Sequence, residues 1–106
     1  MNWIALTDYS QISKALEDSM PFFVFKHSTR CSISSMALNR FERAYNLEGV
    51  QAFYLDLIKF RSISNQLAVD YDVQHQSPQL LLFRDSKCVY NASHNSISFE
   101  ALKAFV

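Results

Sequence analysis

The sequence contains one glycine, two prolines and two cysteines among 106 residues. So little glycine and proline excludes collagen-like and low-complexity chains, and a hydrophobic content of 49% suits a compact globular domain. We therefore predict a single domain over residues 1–106. Cys31 and Cys88 are too few for a disulfide framework or a structural zinc site.

The chain also lacks an excess of charge and a long apolar run. Ten basic and ten acidic residues cancel, so the composition favours neither nucleic acid nor a membrane surface as a partner. No segment approaches the roughly 20 apolar residues of a membrane span. The start, MNWIALTDYS, has no basic flank and is not typical of a signal peptide. We expect a cytoplasmic monomer in a compartment that keeps thiols reduced.

Strand-like and helix-like segments alternate in the order βα-βαβ-α-ββα. The apolar strand segments are NWIAL, FFVF, VQAFYLDLI, QLLLF and CVYNA. Helices are predicted to begin near Asp8, Ser32 and Ser62, and at Ser96 or Ser98. A right-handed strand–helix–strand crossover makes a parallel pair, and the last two strands form a hairpin. The prediction is an α/β thioredoxin-like fold, with a mixed sheet of about five strands and helices on both faces.

Two local expectations concern the middle of the chain. The polar stretch from Lys26 to Arg30 is predicted to separate the FFVF strand from the next helix. That helix is predicted to bury one face, which consists of Ile33, Met36, Ala37, Phe41 and Ala44.

Cys31 lies at the junction of the FFVF strand and this helix. Backbone N–H groups at a helix N-terminus lack intrahelical partners, and the helix dipole is positive there, so a thiolate is stabilised. Lys26, Arg30 and Arg40 lie in an interval without Asp or Glu, and His27 adds a further possible charge. An inert, small capping cysteine is the alternative interpretation. The position and the charge favour a reactive Cys31 that is largely thiolate at neutral pH.

Three segments carry a resemblance to a known family. They are FKHSTRCSISSMAL, YLDLIKFRSISNQLA and HQSPQLLLF. Together they resemble the monothiol bacilliredoxins, the YtxJ-like family of the thioredoxin superfamily, over nearly the whole chain. The resemblance implies a thiol–disulfide oxidoreductase that removes bacillithiol from S-bacillithiolated client proteins. Bacillithiol would then be a co-substrate, and no bound cofactor is expected.

The same resemblance implies roles for individual residues. Cys31 would be the nucleophile that takes bacillithiol from the client. Pro78 would be a cis-proline beside it, and the backbone of Ser77 would pair with the bound partner like an added strand. Ser34, Arg30, His27 and Lys26 would stabilise or assist the thiolate.

The sequence departs from the dithiol thioredoxin pattern at three positions. Ser34 stands where a resolving cysteine would be, so an outside thiol must resolve the mixed disulfide. Phe25 stands where thioredoxins carry a buried Asp, so that proton acceptor is missing. Arg30 replaces the thioredoxin Trp before the cysteine, which favours a small anionic thiol over a thioredoxin-type substrate.

Other interpretations of the same residues stay open. His27, His75 and His94 match no compact metal-ligand spacing, so no metal site is predicted. Cys88 is interpreted as a half-buried strand residue and a poor resolving thiol.

Arg61 and Asn65 lie near a ligand or simply at a solvated helix start. The alternative functions are a non-catalytic thioredoxin-like module that binds peptides or proteins, and a glutathione-dependent monothiol glutaredoxin-like protein. A cluster-binding glutaredoxin is disfavoured because the motif here is Cys-Ser-Ile-Ser and the one glycine, Gly49, lies far from it.

Overall fold

The computed structural model describes residues 1–18 and 20–106. The elements in chain order are β1 (Trp3–Ala5), α1 (Ser10–Glu17), β2 (Phe22–His27), α2 (Ser32–Ala44), β3 (Gln51–Asp56), α3 (Arg61–Asp70), β4 (Gln79–Arg84), β5 (Lys87–Ser93) and α4 (Phe99–Lys103), with a 3₁₀ turn at His94–Ser96 before α4. This order confirms the predicted one. None of the helices in these two ranges is long and apolar enough to cross a membrane.

The five strands form one mixed sheet in the order β1-β3-β2-β4-β5. Strands β1 and β2 both pair parallel with β3, whereas β4 pairs antiparallel with β2 and with β5. The β4–β5 hairpin turns through Asp85 and Ser86, both at positive φ. This is the thioredoxin fold, as predicted.

Strand β2 lies in the centre of the sheet, and its side chains alternate between two cores. Phe22 and Val24 join a cluster with residues of α1 and α3. Phe23 and Phe25 join the opposite cluster, with residues of α2 and α4. Every residue of β2 is buried, which fits a central strand covered by helices on both faces.

The predicted end of this strand was wrong. The polar side chains of Lys26 and His27 suggested a loop, but both residues continue the pairing of β2 with β3 and are buried. Lys26 pairs with Leu55 of β3, and His27 pairs with Asp56. Their polar side-chain atoms have hydrogen-bond partners on the two faces of the sheet, and this makes their burial tolerable.

The predicted buried face of α2 was also partly wrong. Ile33 and Met36 are 53% and 67% exposed, whereas Ser34, Ala37 and Phe41 are buried. The helix is therefore rotated so that a serine faces the sheet where an apolar residue was expected. The predicted Ala44 is exposed as well.

The predicted cap is present at α4 and only in part at α1, whose N-cap is Tyr9 and not Asp8. Before α1, the Gln11 side chain accepts the Asp8 N–H at 3.0 Å, and the Asp8 carboxylate accepts the Ser10 N–H at 2.8 Å. Ser98 caps α4 by accepting the Ala101 N–H at 3.3 Å. The predicted Ser62 cap was wrong, because α3 already begins at Arg61 and Ser62 lies inside its first turn.

Candidate active site

Cys31 is the N-cap residue of α2, and it is half-buried. A tight turn after β2 places it there, because the Cys31 N–H donates to the Ser28 carbonyl at 3.1 Å. The Cys31 carbonyl then accepts the first helical hydrogen bond, from Ser35, at 3.1 Å. No acidic residue lies in the first turn of α2. The sulfur therefore lies at the positive end of a 13-residue helix, accessible to solvent.

Ser34 follows one helical turn later, and its side chain is fully buried. Its Oγ lies 2.6 Å from His27 Nδ1 and accepts the Ser28 N–H at 3.1 Å. The sequence suggested that this hydroxyl hydrogen-bonds the Cys31 sulfur. Among the described residues its partners are instead His27 and Ser28, so the serine ties the first turn of α2 to the end of β2.

His27 lies on the α2 face of the sheet and is 5% exposed. Its ring packs against Tyr54 of β3, with centroids 5.5 Å apart. Burial lowers the pKa of His27, and the nearby Asp56 and Glu42 carboxylates partly oppose that shift. The imidazole is therefore neutral at neutral pH, one hydrogen bond away from the helix that carries Cys31.

Lys26 is placed differently from the expectation that it assists the thiolate. Adjacent strand residues point to opposite faces, so the Lys26 side chain leaves β2 on the α3 side. It is fully buried, and its Nζ lies 3.4 Å from the Ser64 carbonyl and 3.4 Å from His75 Nδ1. Burial, reinforced by the charge of Arg61, lowers the pKa of Lys26 to about 8.

His75 links this lysine to α3, a contact that the sequence did not predict. Arg61 Nη1 donates to His75 Nε2 at 3.0 Å, and His75 Nδ1 lies 3.1 Å from Ser64 Oγ. A guanidinium only donates, so Nε2 must accept and the ring proton lies on Nδ1. The contact from Nδ1 to Lys26 Nζ is then a hydrogen bond only while the lysine is a neutral amine.

The two arginines near Cys31 in sequence also differ. Arg30 directly precedes the cysteine and is exposed, so its charge is available at the mouth of the site. Arg40 donates to the Ile97 carbonyl at 3.1 Å and holds the segment before α4. Of the expected cations, Arg30 is exposed directly before the cysteine in the chain, whereas Arg40 bonds to the segment before α4.

The loop before β4 contains the other predicted site residues. The Ser77–Pro78 peptide bond is cis, and Pro78 is buried while Ser77 is half-buried. The Pro78 carbonyl accepts the His94 N–H at 3.1 Å. In the described part of the chain no backbone–backbone hydrogen bond involves Ser77. Its backbone is therefore open to a partner, directly before Pro78 and the start of β4.

Cys88 lies on strand β5 and packs against the cluster on the α1 and α3 face. Its thiol contacts the Tyr90 carbonyl at 3.5 Å, and burial raises the pKa of Cys88. His94 is exposed after β5 and does not join His27 or His75. Within residues 1–18 and 20–106, no group of three or more His, Cys, Asp or Glu residues could hold a metal ion.

The sequence contained a signal for some of the missed contacts. Strand alternation continued from Phe22 through His27 would have placed Lys26 and His27 on opposite faces. The partners Ser64 and His75 lie 38 and 49 residues further along the chain, and no local pattern connects them to Lys26.

Comparisons with known proteins identify a family and a fold that this chain resembles. A family model described as "Monothiol bacilliredoxin BrxC" matches residues 4–102. A solved structure described as a candidate oxidoreductase with a thioredoxin fold is 30% identical, with a TM-score of 0.81, over 96% of this chain and 91% of that one.

Two more distant structures are similar in fold alone. Trxlp from Edwardsiella tarda is 16% identical, with a TM-score of 0.74, over 98% of this chain and 97% of that one. Thioredoxin from Trypanosoma brucei brucei is 13% identical, with a TM-score of 0.78, over 98% and 88%.

Proposed function

The chain belongs to the monothiol bacilliredoxin family, whose model spans residues 4–102, and we propose that it removes bacillithiol from S-bacillithiolated proteins through a mixed disulfide on Cys31. The family and the fold support a thiol–disulfide redox function. The choice of bacillithiol as the thiol and of Cys31 as the nucleophile is the proposal. We expect the exchange to take place in a reducing cytoplasm.

The observation that carries the proposal is the placement of Cys31 and Ser34 on one helix turn. Cys31 caps α2 and is half-exposed, whereas Ser34, three residues later, is buried and is no thiol. The first position suits a nucleophile that must reach a disulfide on another protein. The second leaves no neighbouring sulfur to displace what the nucleophile has taken.

The exchange proceeds in two displacements. The Cys31 thiolate attacks the bacillithiol sulfur of the client disulfide; the new Cys31–bacillithiol disulfide forms as the old one breaks, and the client leaves as a thiolate. A second bacillithiol thiolate then attacks the adduct, releases bacillithiol disulfide and restores the Cys31 thiolate. In sum, one free bacillithiol thiolate is consumed and one client thiolate is released for each mixed disulfide that becomes bacillithiol disulfide, so the electrons balance.

The loop at Ser77 and Pro78 supports docking of the client. A polypeptide that lies beside Ser77 in extended conformation can use its free backbone groups as an added strand does. The exposed Arg30 adds a positive charge next to the sulfur, which suits an anionic thiol such as bacillithiol. Cys88 packs against the core cluster on the α1 and α3 face, which argues against a role in resolving the adduct.

Intact-protein mass spectrometry after exposure to bacillithiol disulfide tests the proposal. We expect one adduct on the wild type and on Cys88→Ser, and none on Cys31→Ser. A parallel incubation with glutathione disulfide tests the identity of the thiol. If the wild type takes glutathione readily and bacillithiol not at all, the glutaredoxin-like alternative is correct. If it takes neither, the protein is better described as a peptide- or protein-binding module.

A further inference from the structure

The buried hydroxyl of Ser34 joins the nucleophile's helix to an imidazole. Its Oγ already accepts the Ser28 N–H at 3.1 Å and lies 2.6 Å from His27 Nδ1. The serine is fully buried, so water cannot receive its proton. A buried donor without an acceptor is costly, and His27 Nδ1 is the acceptor within reach.

This count of donors and acceptors determines the tautomer of His27. Ser34 donates to Nδ1, so Nδ1 carries the lone pair and the ring proton lies on Nε2. Every buried side-chain nitrogen or oxygen in the described residues has a hydrogen-bond partner, and the hydrogen bond of His27 is made by Nδ1. Nε2 is therefore the ring nitrogen at the small exposed part of the side chain, where it can exchange its proton with solvent.

We infer that His27 accepts the proton that Cys31 loses, with the Ser34 hydroxyl as the relay between them. The Cys31 S–H bond breaks as its proton passes to Ser34 Oγ, and the proton that Ser34 held passes to His27 Nδ1. The products are a Cys31 thiolate, an unchanged Ser34 hydroxyl that now donates to the sulfur, and a His27 imidazolium. His27 then loses its Nε2 proton to solvent, and while the thiolate persists the neutral ring keeps the relayed proton on Nδ1 and donates it to Ser34 Oγ.

The position of Cys31 allows this relay. Cys31 is the N-cap of α2 and Ser34 is the third residue of the helix, and an N-cap side chain lies over the second and third residues of its helix. The Cys31 side chain is half-exposed, so its rotamer can change within nanoseconds and bring the sulfur to the hydroxyl. Catalytic hydrogen bonds are often long in the resting protein and tighten when the reaction begins.

The charges around His27 suit a proton acceptor. Asp56 and Tyr54 face it from β3, and Glu42 lies nearby on α2. Burial lowers the pKa of His27, which keeps the ring neutral and able to accept a proton at neutral pH. The two carboxylates stabilise the imidazolium once it forms.

The relay also replaces a group that this chain lacks. The position of the buried thioredoxin Asp is occupied by Phe25, which packs against Phe41 with centroids 5.8 Å apart and cannot accept a proton. His27, two residues later on the same face of β2, supplies an acceptor by another route. The inference rests on the proposed function for its purpose, because only a reacting Cys31 needs to lose a proton.

The test measures the rate of Cys31 alkylation by iodoacetamide from pH 5.5 to 9, with Cys88→Ser in every variant so that one thiol reacts. Ser34→Ala removes the relay, and His27→Asn keeps a hydrogen-bonding side chain that cannot accept the proton. Ser32→Ala is the matched control, because Ser32 is an exposed serine on the same helix. Circular dichroism checks that each variant is folded.

We expect Ser34→Ala and His27→Asn each to lower the rate at pH 6, relative to the rate at pH 9, by about tenfold, the size of one hydrogen bond to a charged group. The double variant should fall no further, and Ser32→Ala should match the parent. If His27→Asn slows alkylation while Ser34→Ala does not, the imidazole acts through space and the relay is wrong. Additive losses, or no loss in either variant, also overturn it.

Nitrogen-15 NMR of the His27 ring gives a second readout that does not depend on reactivity. With Cys31 alkylated, so that no thiolate accepts the Ser34 proton, we expect an unprotonated Nδ1 and a protonated Nε2 above the titration of His27. A protonated Nδ1 in the neutral ring of the alkylated protein would overturn the inference. Neither measurement uses bacillithiol, so a wrong choice of thiol in the proposed function leaves the relay standing, and failure of the relay leaves the adduct test unaffected.

Discussion

Lys26 and His27 are consecutive basic residues of one strand, and both are buried, yet their surroundings are opposite. His27 faces α2, where it meets the hydroxyl of Ser34 and two carboxylates. Lys26 faces α3, where its charged neighbour is Arg61, its hydrogen-bond acceptor is the Ser64 carbonyl, and His75 Nδ1 lies 3.4 Å from its Nζ. The first environment can receive a proton and stabilise the resulting charge. The second environment disfavours the charged form of the lysine.

This difference shows that burial alone does not decide what a basic side chain does. Desolvation lowers the pKa of both residues. At His27 the Asp56 and Glu42 carboxylates partly oppose that shift, so the imidazole can bind and release a proton beside α2. At Lys26 the neighbouring cation adds to desolvation, so the pKa falls to about 8, and the side chain ties β2 to α3 through the Ser64 carbonyl. We assign the chemistry to the α2 face and the structural role to the α3 face.

The largest expected effect comes from the two cysteines, one on each face. We predict that Cys31→Ser abolishes transfer of bacillithiol from a client protein, because a hydroxyl is not a nucleophile for disulfides at neutral pH. Cys88→Ser should keep at least half of the wild-type rate, since that thiol is half-buried and packs against the cluster on the α1 and α3 face. Release of reduced client, followed by mass spectrometry, measures both. Equal losses would show that Cys88 resolves the adduct and that the division between the faces is wrong.

The next effect concerns how long the adduct lasts. Ser34→Cys places a thiol beside His27, which can accept its proton, and one turn from Cys31. We predict that wild-type protein keeps the bacillithiol adduct until an outside thiol arrives. The variant should release it and lose two hydrogens as a disulfide closes between Cys31 and the introduced thiol.

Intact mass spectrometry distinguishes the two products. Ser32→Cys is the control, because successive helix residues do not face each other and its adduct should persist. An adduct that survives on Ser34→Cys as long as on the wild type would mean that position 34 does not reach the sulfur.

A smaller effect is expected on the α3 face, in stability rather than activity. The pKa of Lys26 is about 8 in the folded protein against 10.5 when unperturbed. Between these values the unfolded chain binds more protons, so the free energy of unfolding rises with pH. We predict a contribution of about 2 kcal/mol between pH 7.5 and 9.5. Lys26→Met should remove it.

Urea unfolding of the wild type and Lys26→Met at several pH values measures this contribution as the difference between two curves. Lys14→Met is the control, since Lys14 is exposed and its curve should run parallel to that of the wild type. The comparison stops at pH 9.5 because burial raises the pKa of Tyr45, Tyr71 and Tyr90, which lowers stability above pH 10 in all variants. Parallel curves for wild type and Lys26→Met would contradict a lysine pKa of about 8.

The fold could be predicted because the apolar segments have lengths typical of strands, and because a strand–helix–strand crossover is almost always right-handed. The sequence also predicted the place of Cys31, since a strand–helix junction is a local feature. It did not predict which face each neighbour of Cys31 occupies. The polar side chains of Lys26 and His27 are typical of a loop. Only the pairing of β2 with its neighbouring strands shows that they belong to a strand.

The predicted buried face of α2 was partly wrong for a related reason. Ile33 and Met36 looked like core residues, but the sheet beneath the first turn presents an imidazole, and a buried serine satisfies it better than an apolar side chain. The ties from Lys26 to Ser64 and His75 span tens of residues and depend on three separate elements. Such contacts follow from tertiary packing and have no local pattern.

The smallest expected effect separates the two faces at acid pH. Burial, followed by the charges of Lys26 and Arg61, lowers the pKa of His75. Below its ordinary value of 6.5 the unfolded chain binds a proton that the folded loop resists, so stability is present above that value and falls as the pH drops from 7 to 5. We predict that His75→Asn reduces this loss by a few tenths of a kcal/mol, a small figure because the ring is partly exposed to solvent. His94→Asn, at an exposed histidine with positive φ, should leave the loss unchanged.

Lys26→Met should act in the same direction as His75→Asn by removing a neighbouring charge, and an NMR titration should then find the His75 pKa closer to 6.5. A His75 titration that does not respond to Lys26→Met would mean that burial alone sets the pKa of His75, and the contrast between the two faces would then lie in their hydrogen bonds and not in their charges.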